Sequence, residues 1–402
     1  MYDAIVIGAR CAGSPTAMLL ARKGYRVLLV DKATFPSDIM STHYIHQPGV
    51  ACLKRWGLLD KVADSNAPPV INWTFDFGPF AFTGCPPAAG DVAEGYGPRR
   101  MVLDKILVDA AVEAGAELRE GFSVQGIVTD GDRVTGIRGR GRGGSTITEE
   151  ARTVIGADGL HSIVARTVQA SAYNERPPLS CGYYSYWSGV PVEGLEVYPS
   201  GERGPRAMVT FTTNDDLTCL IVAWPHREFH EFRADIEGNY LKTVDLAPGL
   251  AERVRNGKRE ERFVGTADVP NFFRKPYGPG WALVGDAGYH KDPVTAQGIT
   301  DAFRDAELLA DAIDAGSSGR RPFDDALADY ERQRNEAAMP MYEMTCGIAS
   351  FEPPPPEMQQ LFAALPRNQE AADRYVGAAW AGTVPIPEFF SPENMQRIMA
   401  AA

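Results

Sequence analysis

Residues 4–31 read AIVIGARCAGSPTAMLLARKGYRVLLVD, and the succession inside that stretch decides the fold. Ala4 to Ile7 is a short apolar run. Gly8-Ala9-Arg10-Cys11-Ala12-Gly13 follows as a glycine turn, a helical pattern runs to Lys23 and stops at Gly24, and a second apolar run, Val27 to Val30, ends at Asp31. Strand, glycine turn, helix, strand and an acid roughly 20 residues on make the unit that binds a dinucleotide. Glycine lets the backbone approach a pyrophosphate, the helix start offers free N–H groups and the positive end of its dipole, and Asp31 can accept from a pair of ribose hydroxyls. Cys11 and Ala12 inside the turn, and Lys32 beside the acid, belong to the same binding stretch. Arg10 departs from the pattern, standing where the middle glycine belongs. Either the pyrophosphate sits farther off there, or the Arg10 side chain brings its own charge.

Two later stretches also deliver a strand to a turn. Thr153 to Gly156 leads into Ala157-Asp158-Gly159, with Ser162 and Arg166 beyond. Trp281 to Val284 leads into Gly285-Asp286-Ala287-Gly288 and runs through Pro293 and Gln297 to Gly298. After Gly298 a helical face is spaced as Ile299, Ala302, Phe303, Ala306, Leu309 and Ile313, with Asp301, Arg304, Asp305 and Glu307 mainly on the other side. One cofactor long enough to touch all three stretches explains their separation.

Between them the chain changes character. Phe35 to Gln47 has no strong periodicity and contains Ser41-Thr42-His43-Tyr44-Ile45-His46, expected as a loop lining the cofactor pocket. Two histidines this close suggest a metal, but no carboxylate or cysteine completes a ligand set, so none is assigned. Residues 67–98 turn to aromatics, Gly and Pro, with Trp73, Phe75 and Phe77 alternating as on a strand. Residues 171–275 carry Tyr183, Tyr184, Tyr186, Trp187, Phe211 and Trp224 on strand-like runs, with a helical pair near 229–256. Aromatics at strand spacing are more often core than pocket. The pocket candidates are Tyr186, Trp187, Phe211 and Trp224. A last long helix, Ala326 to about Ile348, is broken by the prolines at 353–356, and helices beyond them close over the molecule.

A length of 402 residues suggests two domains and an appended C-terminal piece. With 40 basic against 52 acidic residues, the net charge of −12 argues against a general nucleic-acid binder. Arg138, Arg140 and Arg142 alternate with glycine and read as an exposed hairpin rather than a phosphate site. The six cysteines, Cys11, Cys52, Cys85, Cys181, Cys219 and Cys346, have no Cys-x-x-Cys spacing, which fits a reduced, cytoplasmic protein. The opening Met1-Tyr2-Asp3 leaves no room for a signal peptide, and no apolar run approaches the roughly 18 residues of a membrane span.

With these residues in place the sequence resembles the FAD-dependent monooxygenases of the aromatic-hydroxylase type, the para-hydroxybenzoate hydroxylase-like family. Gly8 to Gly13 with Asp31 is similar to that family's ADP-binding turn, Asp158-Gly159 with Ser162 and Arg166 to its Asp-Gly motif, and Gly285-Asp286 with Pro293 and Gly298 to its Gly-Asp motif. Order and spacing agree over about residues 2–315. Arg100-Met101-Val102-Leu103-Asp104 also resembles a segment of the related prenyl reductases, in which the arginine helps hold the FAD.

The resemblance implies an α/β fold with a discontinuous Rossmann-type FAD-binding domain (1–66, 99–170, 276–320). A substrate domain built on an antiparallel sheet (67–98, 171–275) would be inserted into it, and a C-terminal helical segment (321–402) would follow. It implies that Asp286 accepts from the ribityl chain or ribose, that Thr42 and Gln297 border the cofactor, and that Asp158 serves both FAD and NAD(P)H. The helix beginning near Ala296 to Gly298 would point its N–H groups at the pyrimidine edge of the flavin, where reduction places negative charge. The implied reaction uses NAD(P)H and molecular oxygen, through a flavin hydroperoxide, to hydroxylate or epoxidise an aromatic or polyketide-like small molecule. A base near the ring would help a phenolic substrate. The catalytic candidates are His43, His46 and His290, with Tyr289 beside the substrate; His226 reads better as a surface residue. Three alternatives stand beside this: a reductase of isoprenoid double bonds, a non-catalytic flavin-binding protein, and a halogenase, whose Trp-x-Trp-x-x-Pro segment is missing.

Overall fold

The computed structural model describes residues 1–141 and 143–401; Arg142, one of the three alternating arginines, lies outside them. Five parallel strands form the centre of its first, eight-stranded sheet, in the order Trp281–Leu283, Thr146–Gly156, Tyr2–Ile7, Val27–Val30 and Glu117–Arg119, with Tyr277–Gly278 antiparallel at the edge. A parallel sheet is covered on both faces, so its strands need apolar residues at every position rather than at alternate ones. That is why Val27 to Val30 shows no alternation and is wholly buried. One face packs Val6, Val27 and Leu29 under the helices Gly13–Arg22, Arg100–Glu113 and Gly298–Ser317 through Leu20, Leu107 and Phe303. The other packs Ile5, Leu28 and Val154 against Phe122, Val134 and Ile137. The last two belong to the strand Arg133–Arg140, which joins Ser123–Asp130 and the first half of Thr146–Gly156; Arg138 and Arg140 are exposed on it, as expected of a hairpin.

The register of the parallel strands sets the site. Ile7 lies opposite both Val30 and Gly156, and Gly156 lies opposite Leu283. Gly8, Asp31, Asp158 and Gly285 therefore leave the sheet together at its carboxyl edge, where open parallel sheets bind their ligands.

A second sheet runs in the order Lys258–Arg259, Ser180–Ser188, Thr218–Pro225, Ala207–Thr212, Leu195–Tyr198, Trp73–Asp76 and Ala81–Gly84, with Val264–Thr266 also on Ser180–Ser188. Its pairs are antiparallel except one. Leu195–Tyr198 runs parallel to Trp73–Asp76, because those two strands come from separate passages of the chain and no hairpin ties their directions. Strand parity divides its two faces. Cys181, Tyr183 and Trp187 pack under three helices, Phe229–Ala234, Ile236–Val244 and Pro248–Asn256, where two were expected. Tyr184 and Tyr186 point the other way, with Trp73, Leu195 and Phe211.

The long helix Phe323–Ala349 packs along Gly298–Ser317. The chain then breaks at Pro353 to Pro355 and returns through Pro356–Ala364, Gln369–Val376 and Pro392–Ala400 to cover the Tyr186 side of the second sheet with Leu361, Tyr375, Trp380 and Ile398. Among the described residues no helix is long and apolar enough to cross a membrane.

Candidate functional site

At the carboxyl edge the glycine turn is closed so tightly that only glycine fits. Gly8 has φ +101°, and a Cβ there would lie 2.4 Å from the carbonyl oxygen of Ala157; on Gly13 it would lie 1.8 Å from that of Gly8. Gly285, at φ +62°, would place a Cβ 2.7 Å from that of Ala12, so the third stretch rests on the first. Asp31 holds the turn itself: one carboxylate oxygen accepts from Ala9 N–H and the other from Ala33 N–H, each at 2.7 Å. A carboxylate oxygen keeps capacity for a second donor, so this anchoring is compatible with a ribose contact.

Around that cradle several polar groups await a partner. Asp158 Oδ2 accepts from Ile163 N–H at 2.7 Å, but its Oδ1 is buried without a hydrogen bond, and burial raises the carboxyl pKa. Asp286 is exposed and has no hydrogen-bonding partner among the described residues. Gly298 opens a 20-residue helix that no side chain caps. An orphaned carboxylate oxygen, a free carboxylate, an uncapped helix start and a glycine-closed turn on one edge fit the hydroxyls and phosphates of FAD. Lys32 is exposed beside them, and Thr42 is half-buried. Gln297 is committed elsewhere, its amide donating to the carbonyl of Trp380. Replacing Asp286 with Ala is expected to leave folding unchanged and weaken FAD binding about tenfold, the loss of roughly one charged hydrogen bond. Titration of apoprotein with FAD checks this; wild-type affinity would remove Asp286 from the site.

The residue that organises this edge is one that motif spacing underrated. Asp104, fully buried, accepts from Arg100 Nε at 3.0 Å and Nη2 at 3.1 Å, from Arg10 Nη1, and from the Cys11 thiol at 3.4 Å. Arg10 also reaches Ser37 and lies over the Phe35 ring. The arginine in the middle-glycine position is therefore tied back into the protein. The spacing of Arg100 and Asp104, four apart on one helix, was the available signal.

The expected loop at 41–46 is buried. His43, at φ +60°, places Nε2 2.7 Å from the hydroxyl of Tyr186, and its Nδ1 has no partner of hydrogen-bond geometry. Burial, then the charges of Arg100 and Arg99, pushes His43 down to about 3, so the ring is neutral at ordinary pH. Arg99 lies over the Tyr186 ring at 4.4 Å and is paired with Asp38 and Glu261. His46 sits against Thr295 O at 3.1 Å, stacks on Trp73, and is pushed by burial down to about 4. Both histidines have folded values below their unfolded value of about 6.5. The unfolded chain thus binds more protons, and stability present above pH 6.5 is lost as pH falls toward those values. Unfolding free energy is expected to drop by about 2 kcal/mol per histidine between pH 7 and pH 5. Urea titrations at the two pH values should show that dependence halved in His43→Gln.

The two histidines flank an apolar cavity of about 50 Å³. It lies between the inner face of the second sheet (Val209, Phe211, Ile221), the segment Thr42 to Tyr44, the turn Pro293 to Ala296, and Trp380. Phe211 therefore borders it, and Tyr186 stands beside Phe211 in the same core. The structure places the remaining candidates elsewhere. Trp187 and Trp224 have the opposite strand parity and pack under the three helices, with Trp224 Nε1 donating to Thr243. Tyr289 is buried against Phe273 and Tyr342, its hydroxyl accepting from Lys291. His290 Nδ1 is engaged with the carbonyl of Pro270. The face of the 298–317 helix read as outward is likewise inward at its start: Asp301 is paired with Lys291 and Arg304, and Asp305 is fully buried beside Arg304.

Comparison with known proteins supplies the context. Residues 1–209 match the family described as FAD binding domain. The digeranylgeranylglycerophospholipid reductase of Methanocella arvoryzae is 26% identical over 362 residues, covering 84% of this chain and 83% of its own. The phenazine 1,6-dicarboxylic acid hydroxylase of Lysobacter antibioticus is 27% identical over 405 residues, covering 87% and 95%. A flavoprotein/dehydrogenase from Cytophaga hutchinsonii shares the fold, with a TM-score of 0.83 at 18% identity over 99% of this chain and 98% of its own.

Proposed function

Because the chain belongs to the FAD binding domain family, we propose that it is a FAD-dependent, NAD(P)H-consuming monooxygenase that hydroxylates or epoxidises an aromatic or polyketide-like small molecule. The observation that carries this reading is the juxtaposition of two sites. The edge that gathers Gly8, Asp31, Asp158 and Gly285 runs, through Pro293 to Ala296, into the wall of an apolar cavity. Bound FAD supplies electron transfer from NAD(P)H and activation of molecular oxygen. The chain's own residues have narrower tasks. The glycine turn and helix start at Gly13 receive the pyrophosphate, and the uncapped start at Gly298 stabilises negative charge at the ring. Trp73, Phe211 and Trp380 exclude water from the cavity. With the buried His43 neutral and its Nε2 accepting, the Tyr186 hydroxyl donates a hydrogen bond to it and keeps a lone pair for a substrate hydroxyl.

A second reading is favoured by the Arg100–Asp104 pair, the segment similar to the prenyl reductases: reduction of an isoprenoid double bond at the same site. The two are separated by turnover under labelled dioxygen with phenolic, polyketide-like and prenyl compounds. The first predicts substrate-stimulated NAD(P)H oxidation with label in the product. Anaerobic saturation of a prenyl chain would transfer the assignment to the second, and cofactor oxidation indifferent to every compound would defeat both.

A further inference from the structure

The walls of the cavity say what kind of molecule it admits. Its floor on the second sheet is Phe211 with two cross-strand pairs, Val209 opposite Ile221 and Ala207 opposite Ala223. The four-residue step from Phe211 to Ala207 spans about 13 Å at strand rise. The space above the floor thus deepens from an aromatic end beside Tyr186 to a small-residue end at Ala207 and Ala223, both of which line the cavity. None of the lining side chains carries a formal charge. Tyr44, the titratable one among them, is fully buried, and burial raises its phenol pKa, keeping it neutral.

The cations beside His43 are already spoken for. Arg100 is held by Asp104, and Arg99 by Asp38 and Glu261. His43 and His46 are held neutral by burial. A carboxylate entering this space would give up its hydration and find no free cation among the described lining residues in exchange, a cost that apolar contact cannot offset. An uncharged surface loses little on entry and gains the aromatic and aliphatic walls.

We propose that the molecule acted on at this site is uncharged and largely hydrocarbon over its buried length, lies along the floor from Phe211 toward Ala207, and is not held by an ion pair. This rests on the cavity being the substrate site of the reading above. The same chemistry belongs to a fused aromatic ring system and to a prenyl chain. Matched probes separate these sources: 1-naphthol against 1-naphthoate for the ring, farnesol against farnesoate for the chain.

The test is equilibrium dialysis of FAD-loaded protein against each probe at pH 7, which needs no turnover. The neutral member of at least one pair is expected to bind tenfold or more tighter than its carboxylate, and the pair that shows the preference identifies ring or chain. Ala223→Phe, which fills the small-residue end, is expected to weaken the preferred probe about tenfold with FAD content unchanged; Ala207→Phe serves as the second variant if the first does not fold. Carboxylates binding as tightly as their neutral partners, no measurable binding of any probe, or undiminished binding by the folded filled variant would each overturn the proposal. A neutral preference without label from dioxygen in any product would defeat the oxygenation reading alone. Label incorporation into a tightly bound carboxylate would defeat only this one.

Discussion

An Asp104→Ala protein is expected to lose about 3–5 kcal/mol of stability and, at temperatures where it remains folded, much of its affinity for FAD. The magnitude is that of a buried charge left without its partner. Arg100 is buried, and both of its side-chain hydrogen bonds among the described residues go to the carboxylate that would be removed. Arg10 and the Cys11 thiol lose the same acceptor, so the glycine turn is released from the helix Arg100–Glu113 that braces it. Denaturant titration of the apoprotein measures the first effect and FAD titration the second. Removing both charges together, as Arg100→Met with Asp104→Leu, should recover a good part of the stability without recovering the cofactor affinity, because the orphaned charge is gone but the brace is not restored. An Asp104→Ala protein with a wild-type unfolding midpoint would show that Arg100 finds another partner.

Two glycines, substituted alike, should fail differently. Gly13→Ala puts a methyl group 1.8 Å from the Gly8 carbonyl and 3.1 Å from the Ala157 side chain, so the helix start must move away from the strand end. Overpacking of this kind costs about 1–3 kcal/mol. The displaced turn is expected to lose FAD affinity about a hundredfold, or roughly 2.7 kcal/mol of binding. Gly298→Ala meets nothing within 4 Å. Alanine is the better helix former, so the apoprotein should be as stable as wild type or up to about 1 kcal/mol more so. FAD affinity should nevertheless fall about tenfold, because the added methyl group enters the space proposed for the flavin edge. If Gly298→Ala bound FAD like wild type, that helix start would have to be placed away from the cofactor.

The site was legible wherever a local pattern carried its own physical reason. Gly8, Asp31, Asp158 and Gly285 follow the ends of buried strands and Gly13 opens the helix after the first, and the parallel register that brings them to one edge follows from the strand, turn and helix order. The pairing of His43 with Tyr186 joins residues 143 apart in sequence, which no spacing reveals. Strand parity puts Tyr184 and Tyr186 on the face opposite Tyr183 and Trp187, although Tyr186 and Trp187 were both offered as pocket candidates. Which parity meets the cavity depends on where the helices between 229 and 256 pack, and that is a non-local outcome. Trp380 was invisible for the same reason: a residue near the C-terminus supplies a wall to a cavity whose floor is some 170 positions earlier. Asp301 and Asp305 misled because helical periodicity assigns faces from polarity, and here a buried lysine and arginine make polarity a core property.

The alternating division of the second sheet has a consequence for how such a protein diversifies. Ala207, Val209, Ile221 and Ala223 shape the cavity, while Met208, Leu220 and Val222, interleaved with them, hold the helices on the far side. Ligand preference and structural integrity are thus written on separate, interdigitated letters of the same two strands. A library randomised at the first set retunes what is accommodated and inherits a scaffold it does not touch.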